Sequence, residues 1–186
     1  MSQLTQFRLL ADYNQWMNQK VYQAAARLSE EALKLERGAF FGSIFGTLNH
    51  LVVADIIWLK RFASNRAGSS ALQSVLEQPD PTSLTQCLFQ DLSRLTTHRR
   101  WLDKQILCFM DKLQESDLDT ILTYRNTKGA SFSKPLSSLL MHFFNHQTHH
   151  RGQVTTLFSQ LDEDIGDTDL LLLIDEVDIQ VNQILS

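Results

Sequence analysis

Residues 142–153, "HFFNHQTHHRGQ", hold four of the chain's six histidines. Imidazole exchanges a proton near neutral pH and, when neutral, ligates transition metals, so the arrangement of these four decides what the stretch can do. On a helix, at about 100° per residue, Leu136, Leu140, Phe143, Val154, Leu157 and Leu161 form one apolar stripe. His150 falls near its centre and His146 on its flank. His142 and His149 turn away, toward Asn145, Gly152 and Thr156. The inward pair is one turn apart, with β-carbons separated by about 6 Å. From that spacing two imidazoles can bind one metal ion at about 2.1 Å each. A lone inward histidine is usually a hydrogen-bonded core residue. Two buried side by side would each need a separate polar partner, which favours a shared ion.

A third ligand has to come from another element, and His50 and His98 are the histidines left. His50 lies opposite the main stripe of its segment (Ile44, Leu48, Val52, Leu59, Phe62), on a helix that is apolar nearly all round. His98 competes by pattern, but "THRR" around it suggests a solvated face. Spacing leaves both open, with His50 modestly ahead.

The elements that must carry these residues are helical. Residues 4–28 place Phe7, Leu10, Asn14, Met17, Val21, Ala24 and Leu28 at alternating steps of three and four. Ser43 can cap a second helix running to about Arg66. Asp80-Pro81 offers a cap and first-turn residue for a third, carrying Leu84, Leu88, Leu92, Leu95, Leu102, Ile106, Phe109 and Leu113. "TILTYRNTKGASFSK" alternates on both sides of "NTKG", the pattern of a β-hairpin. Pro135 opens a fourth long helix to about Leu161. Asp167 or Thr168 can then cap a final short helix through Leu185. The expected fold is all-α: a four-helix bundle, with a small β-hairpin before the fourth long helix and a short C-terminal helix, in one domain spanning 1–186.

Composition excludes several classes. At 43% hydrophobic and 20% charged residues the chain reads as an ordinary globular protein. A net charge of −4 argues against a nucleic-acid binder. No run approaches the roughly 20 apolar residues that span a bilayer, so no membrane partner is expected. "MSQLTQFRLLADYNQW" lacks the basic and apolar regions of a secretory signal. Cys87 and Cys108, both expected on the third helix and about 30 Å apart, could not pair. A reducing, cytoplasmic setting is the expectation.

Three segments carry a family resemblance: "YNQWMN" in the first helix, "GTLNHLVVADIIWLKRF" as the second, and "YRNTKGASFSKPLSSLLMHFFNHQTHHRGQVTTLFSQL" as hairpin and fourth helix. With "GDTDLLLLI" near the C-terminus, they resemble the DinB family of DinB/YfiT-like metalloenzymes across nearly the whole chain. The departure is "SQLDED", where many relatives have glycine after the leucine. The resemblance implies a four-helix bundle holding a divalent metal through one histidine of the second helix and two of the fourth. By motif these are His50, His146 and His150, which sets His50 ahead of His98. Zinc or nickel come first, with manganese or iron as alternatives.

Three neutral imidazoles with water-filled positions make an open, catalytic-type site. The resemblance therefore implies a metal-dependent hydrolase or a thiol-dependent S-transferase, acting on a small molecule with a low-molecular-weight thiol. The alternative is a non-catalytic, stress-related metal- or ligand-binding protein. A homodimer is also implied, and Trp16, Val21, Phe89 and Ile106 lie outside single stripes as candidate contact residues. No residue is nominated as catalytic. Arg151, Asn49, Asn145 and Asp55 adjoin the ligands as candidates to bind substrate or orient imidazoles, each with a plain packing or salt-bridge reading beside it. His98, His142 and His149 receive no role.

Overall fold

The computed structural model describes residues 2–64, 66–126 and 128–176. Its elements are α1 (Gln3–Ala25), α2 (Glu30–Lys34), α3 (Ile44–Phe62), α4 (Arg66–Ala71), α5 (Gln73–Leu76), α6 (Leu92–Lys112), β1 (Ile121–Arg125), β2 (Ser131–Pro135) and α7 (Leu136–Ser159). The long helices α1, α3, α6 and α7 pack together as a bundle, and the antiparallel hairpin β1–β2 precedes α7 as expected. Ser2, Ser43 and Asp91 each accept a backbone N–H from the first turn of α1, α3 and α6, satisfying a donor that the helix itself cannot. Pro135 stands immediately before α7 and brings no side-chain cap. The first two α7 amides are satisfied by the chain ahead of β1, Leu136 N–H to Thr120 O at 2.9 Å and Ser137 N–H to Leu118 O at 3.0 Å.

Phe62 joins three of the long helices, stacking on Phe109 of α6 at 5.7 Å and meeting Phe143 of α7 edge-on at 5.8 Å. Beside this apolar core lies a buried polar layer. Arg99 bridges Asp55 at 2.5 Å and Asp103 at 2.9 Å. Asn18 donates to Asp103, Gln147 to Asp55, and Arg151 to Asn14. All four long helices contribute. Burial pushes the Asp55 carboxyl up to about 6, against the pull of Arg99. Burial works against the Arg99 charge too, but Asp103 and Asp55 outweigh it and the guanidinium stays protonated.

Five expectations are corrected. α6 begins at Leu92, capped by Asp91, rather than at Pro81. Residues 77–91 instead run as a strap across α3, which supplies partners for the strap's backbone. Asn49 accepts from Phe89 N–H at 3.1 Å, and Lys60 donates to Gln78 O. Leu84 and Leu88 therefore share the helical phase without being helical. Cys87 lies on the strap and Cys108 on α6, both free and exposed, so no single helix holds them. α1 stops at Ala25, short of Leu28. In place of a final helix from Asp167 or Thr168, the described residues hold a 3-10 turn at Leu170–Leu173, and 177–185 lie outside them. Val21 and Ile106, offered as contacts for a second copy, are buried in the chain's own core. No helix among the described residues is long and apolar enough to cross a membrane.

Candidate metal centre

α3 and α7 pack side by side and bring His50, His146 and His150 together, with one ring nitrogen of each within 4.8 Å of the others. His98 is elsewhere, its ring packed 4.9 Å from Phe89 and 5.0 Å from Trp101. The inward pair on α7 is thus joined by the histidine of the second long helix.

Two of the three imidazoles are oriented through the nitrogen that would not ligate. His50 Nδ1–H donates to Leu84 O at 2.8 Å, across to the strap. A carbonyl can only accept, so the neutral ring carries its lone pair on Nε2. His150 Nδ1–H likewise donates to Gln153 Oε1 at 2.8 Å, three residues along α7. The Nε2 atoms of His50 and His146 lie 3.3 Å apart. Two nitrogens bound to one ion at about 2.1 Å are about 3.0–3.4 Å apart at octahedral to tetrahedral angles, so the spacing fits a shared metal.

The surroundings keep these rings neutral. Burial pulls His50 down to about 4, with the Leu84 carbonyl opposing and His150 adding to the fall. His146 falls to about 3 through burial and then its neighbours His150 and His50. His150 is lowered by burial, against the Gln153 hydrogen bond. Phe41 lies flat on His50, centroids 3.7 Å apart, and edge-on to His150 at 5.4 Å. Its approach depends on Gly46, where a β-carbon would sit 2.1 Å from Phe41 O. On the other side a cavity of about 220 Å³ opens between α3, the strap, the hairpin and α7, lined in part by His50, His146, His142, Trp58, Arg61 and Asn126.

The sequence candidates divide. Asn49 is buried and binds the strap at Phe89, both accepting from its N–H and donating to its carbonyl. Asn145 is exposed. Asp55 makes its hydrogen bonds with Arg99 and Gln147, and Arg151 with Asn14, Asn18 and Thr148, so both belong to the buried polar layer. Sequence reasoning missed Leu84, Gln153, Phe41 and Arg61. Gln153, one turn from His150, was legible as a partner. A backbone carbonyl on a strap was not.

A family model described as the DinB family matches residues 1–178. The chain belongs to the DinB family. Protein DinB of Bacillus subtilis is 27% identical to it over 151 residues, covering 81% of this chain and 83% of that protein. A solved structure of a DinB-like protein from Bacillus cereus matches with a TM-score of 0.55 at 23% identity, covering 84% of this chain and 91% of that one. This second likeness carries the fold alone: the helical bundle with its hairpin is a DinB-like architecture.

Proposed function

We propose that this DinB-family chain binds one divalent ion, zinc or nickel, through His50, His146 and His150, and serves as a thiol-dependent transferase. The observation that carries the ligand assignment is the 3.3 Å separation of the His50 and His146 Nε2 atoms, with His50 held by its opposite nitrogen. When bound, a divalent ion with three neutral ligands keeps its full charge and can lower the pKa of a thiol or water, supplying a nucleophile at neutral pH. The chain's own residues do the rest. Leu84 O and Gln153 fix two ring tautomers, Phe41 shields one face of the triad, and the cavity by His142 admits a small molecule.

Metal analysis of the purified protein should find about one ion per chain, and His150→Ala should lose most of it while remaining helical. Unchanged metal content in that variant refutes the ligand set. In the cobalt-substituted protein, 2-mercaptoethanol should raise a sulfur-to-metal charge-transfer band that His146→Ala lacks. If no thiol perturbs the cobalt spectrum, the transferase reading falls and a metal-binding protein remains.

A further inference from the structure

Arg61 stands in the wall of the cavity with His50, His146 and His142, on a chain whose overall charge is −4. Among the described residues no carboxylate lines that cavity, and none of the ion pairs includes Arg61. The contrast with Arg99 is sharp, since Arg99 is clasped by Asp55 and Asp103. Arg61 is also preset. Its guanidinium lies 4.5 Å from the Trp58 ring and 4.8 Å from the Tyr124 ring, and one Nη2–H donates to Arg125 O at 3.0 Å. Stacking and one hydrogen bond fix the plane of the group while leaving other donors of its five uncommitted. A fixed, unneutralised guanidinium in a small, half-closed cavity is a fork for a planar or tetrahedral anion.

Asn126 supports the same chemistry. Its Oδ1 accepts from Lys128 N–H and Ala130 N–H, both at 2.9 Å, so the Nδ2 donors are what this residue of the cavity lining has left to offer. The histidines of the lining bring no negative charge, so Arg61 makes the cavity a cationic focus on an acidic molecule.

We propose that Arg61 is the specificity-determining anchor of the cavity, and that the substrate or thiol taken there carries a carboxylate or phosphate seated on its guanidinium. This rests on the proposed function for the choice of a thiol, but the anion site itself does not.

The test begins with metal-free protein. The chain has three tryptophans, so the indole N–H signals are few, and a Trp58→Phe variant assigns the one under Arg61. Propionate and inorganic phosphate are titrated separately. The Trp58 signal should shift saturably with at least one, the carboxylate or the phosphate source being identified by which anion acts, while Trp16 and Trp101 stay still. Arg61→Gln should abolish the shift and Arg61→Lys should retain it at weaker affinity. Cobalt binding by the Gln variant should be unchanged, which shows that the site is still formed. No saturable shift with either anion, or equal shifts in wild type and Arg61→Gln, overturns the proposal.

On the cobalt-loaded protein, 3-mercaptopropionate should bind about tenfold to a hundredfold more tightly than 2-mercaptoethanol, and Arg61→Gln should erase that preference. Equal affinities in the wild type overturn the anchor. Absence of a thiol band with either compound, while the anion shifts persist, refutes the thiol reading and leaves the anchor standing.

Discussion

An imidazole binds a metal ion through the lone pair of its neutral form, so every proton it accepts removes a ligand. An unperturbed histidine near 6.5 would already lose metal as pH falls through 6 to 5. The triad is different because burial lowers the proton affinity of its rings, to about 4 for His50 and about 3 for His146. The sign follows directly: a lowered pKa keeps the neutral, ligating form down to lower pH. Metal affinity measured by chelator competition should therefore begin to fall at a lower pH than for three unperturbed histidines, and fall steeply as pH approaches 4. A decline of about tenfold per pH unit starting at 6.5 would mean that the rings titrate as exposed histidines, contrary to the burial described.

At the scale of elements, the least legible piece of sequence has the most direct hold on the centre. Residues 77–91 share their apolar phase with α6, and Asp80-Pro81 is a sound start signal, so a helix is the natural expectation. Asp91 provides a second start signal, and the chain uses it because α3 satisfies the strap's backbone from the side. Asn49 occupies Phe89 N–H and O, and His50 occupies Leu84 O. Adjacent residues of α3 thus bind the strap and face the metal site. The triad itself was legible in part, because the periodicity of α7 identifies which two of its four histidines turn inward. The partner of His50 was not, since carbonyl direction depends on a tertiary contact that no side-chain pattern encodes. Asn49→Ala should cost about 1–3 kcal/mol by leaving the Phe89 amide unpaired. Hydrogen exchange should accelerate at residues 84–90 with α6 protected as before, and metal affinity should fall as His50 loses its orienting carbonyl. Unchanged exchange in the strap would show that Asn49 does not hold it.

For the molecule as a whole, two polar constellations sit in one bundle and answer to different perturbations. Asp55 and Arg151 look like neighbours of the ligands in sequence, yet helix geometry turns Asp55, five residues after His50, and Arg151, one after His150, into the layer around Arg99. Their task is to join α1, α3, α6 and α7 in one register. Removing the central cation strands two carboxylates in the core, and breaking such a pair typically costs about 3–5 kcal/mol. Arg99→Met should lower the thermal midpoint sharply in metal-free protein. Alanine replacements at His50 or His146, which remove neutral rings with depressed proton affinity, should lower it much less. Added zinc or nickel should narrow that difference. A ligand that binds the folded state stabilises it by about 2.7 kcal/mol at a hundred times its dissociation constant. Wild type and Arg99→Met should both gain from the ion, whereas the histidine variants should gain little. Calorimetry of the four proteins with and without metal checks both halves. A metal-induced rise that survives His146→Ala would place the ion outside the triad, and a metal-free Arg99→Met as stable as wild type would remove the buried layer from the account of what holds the bundle together.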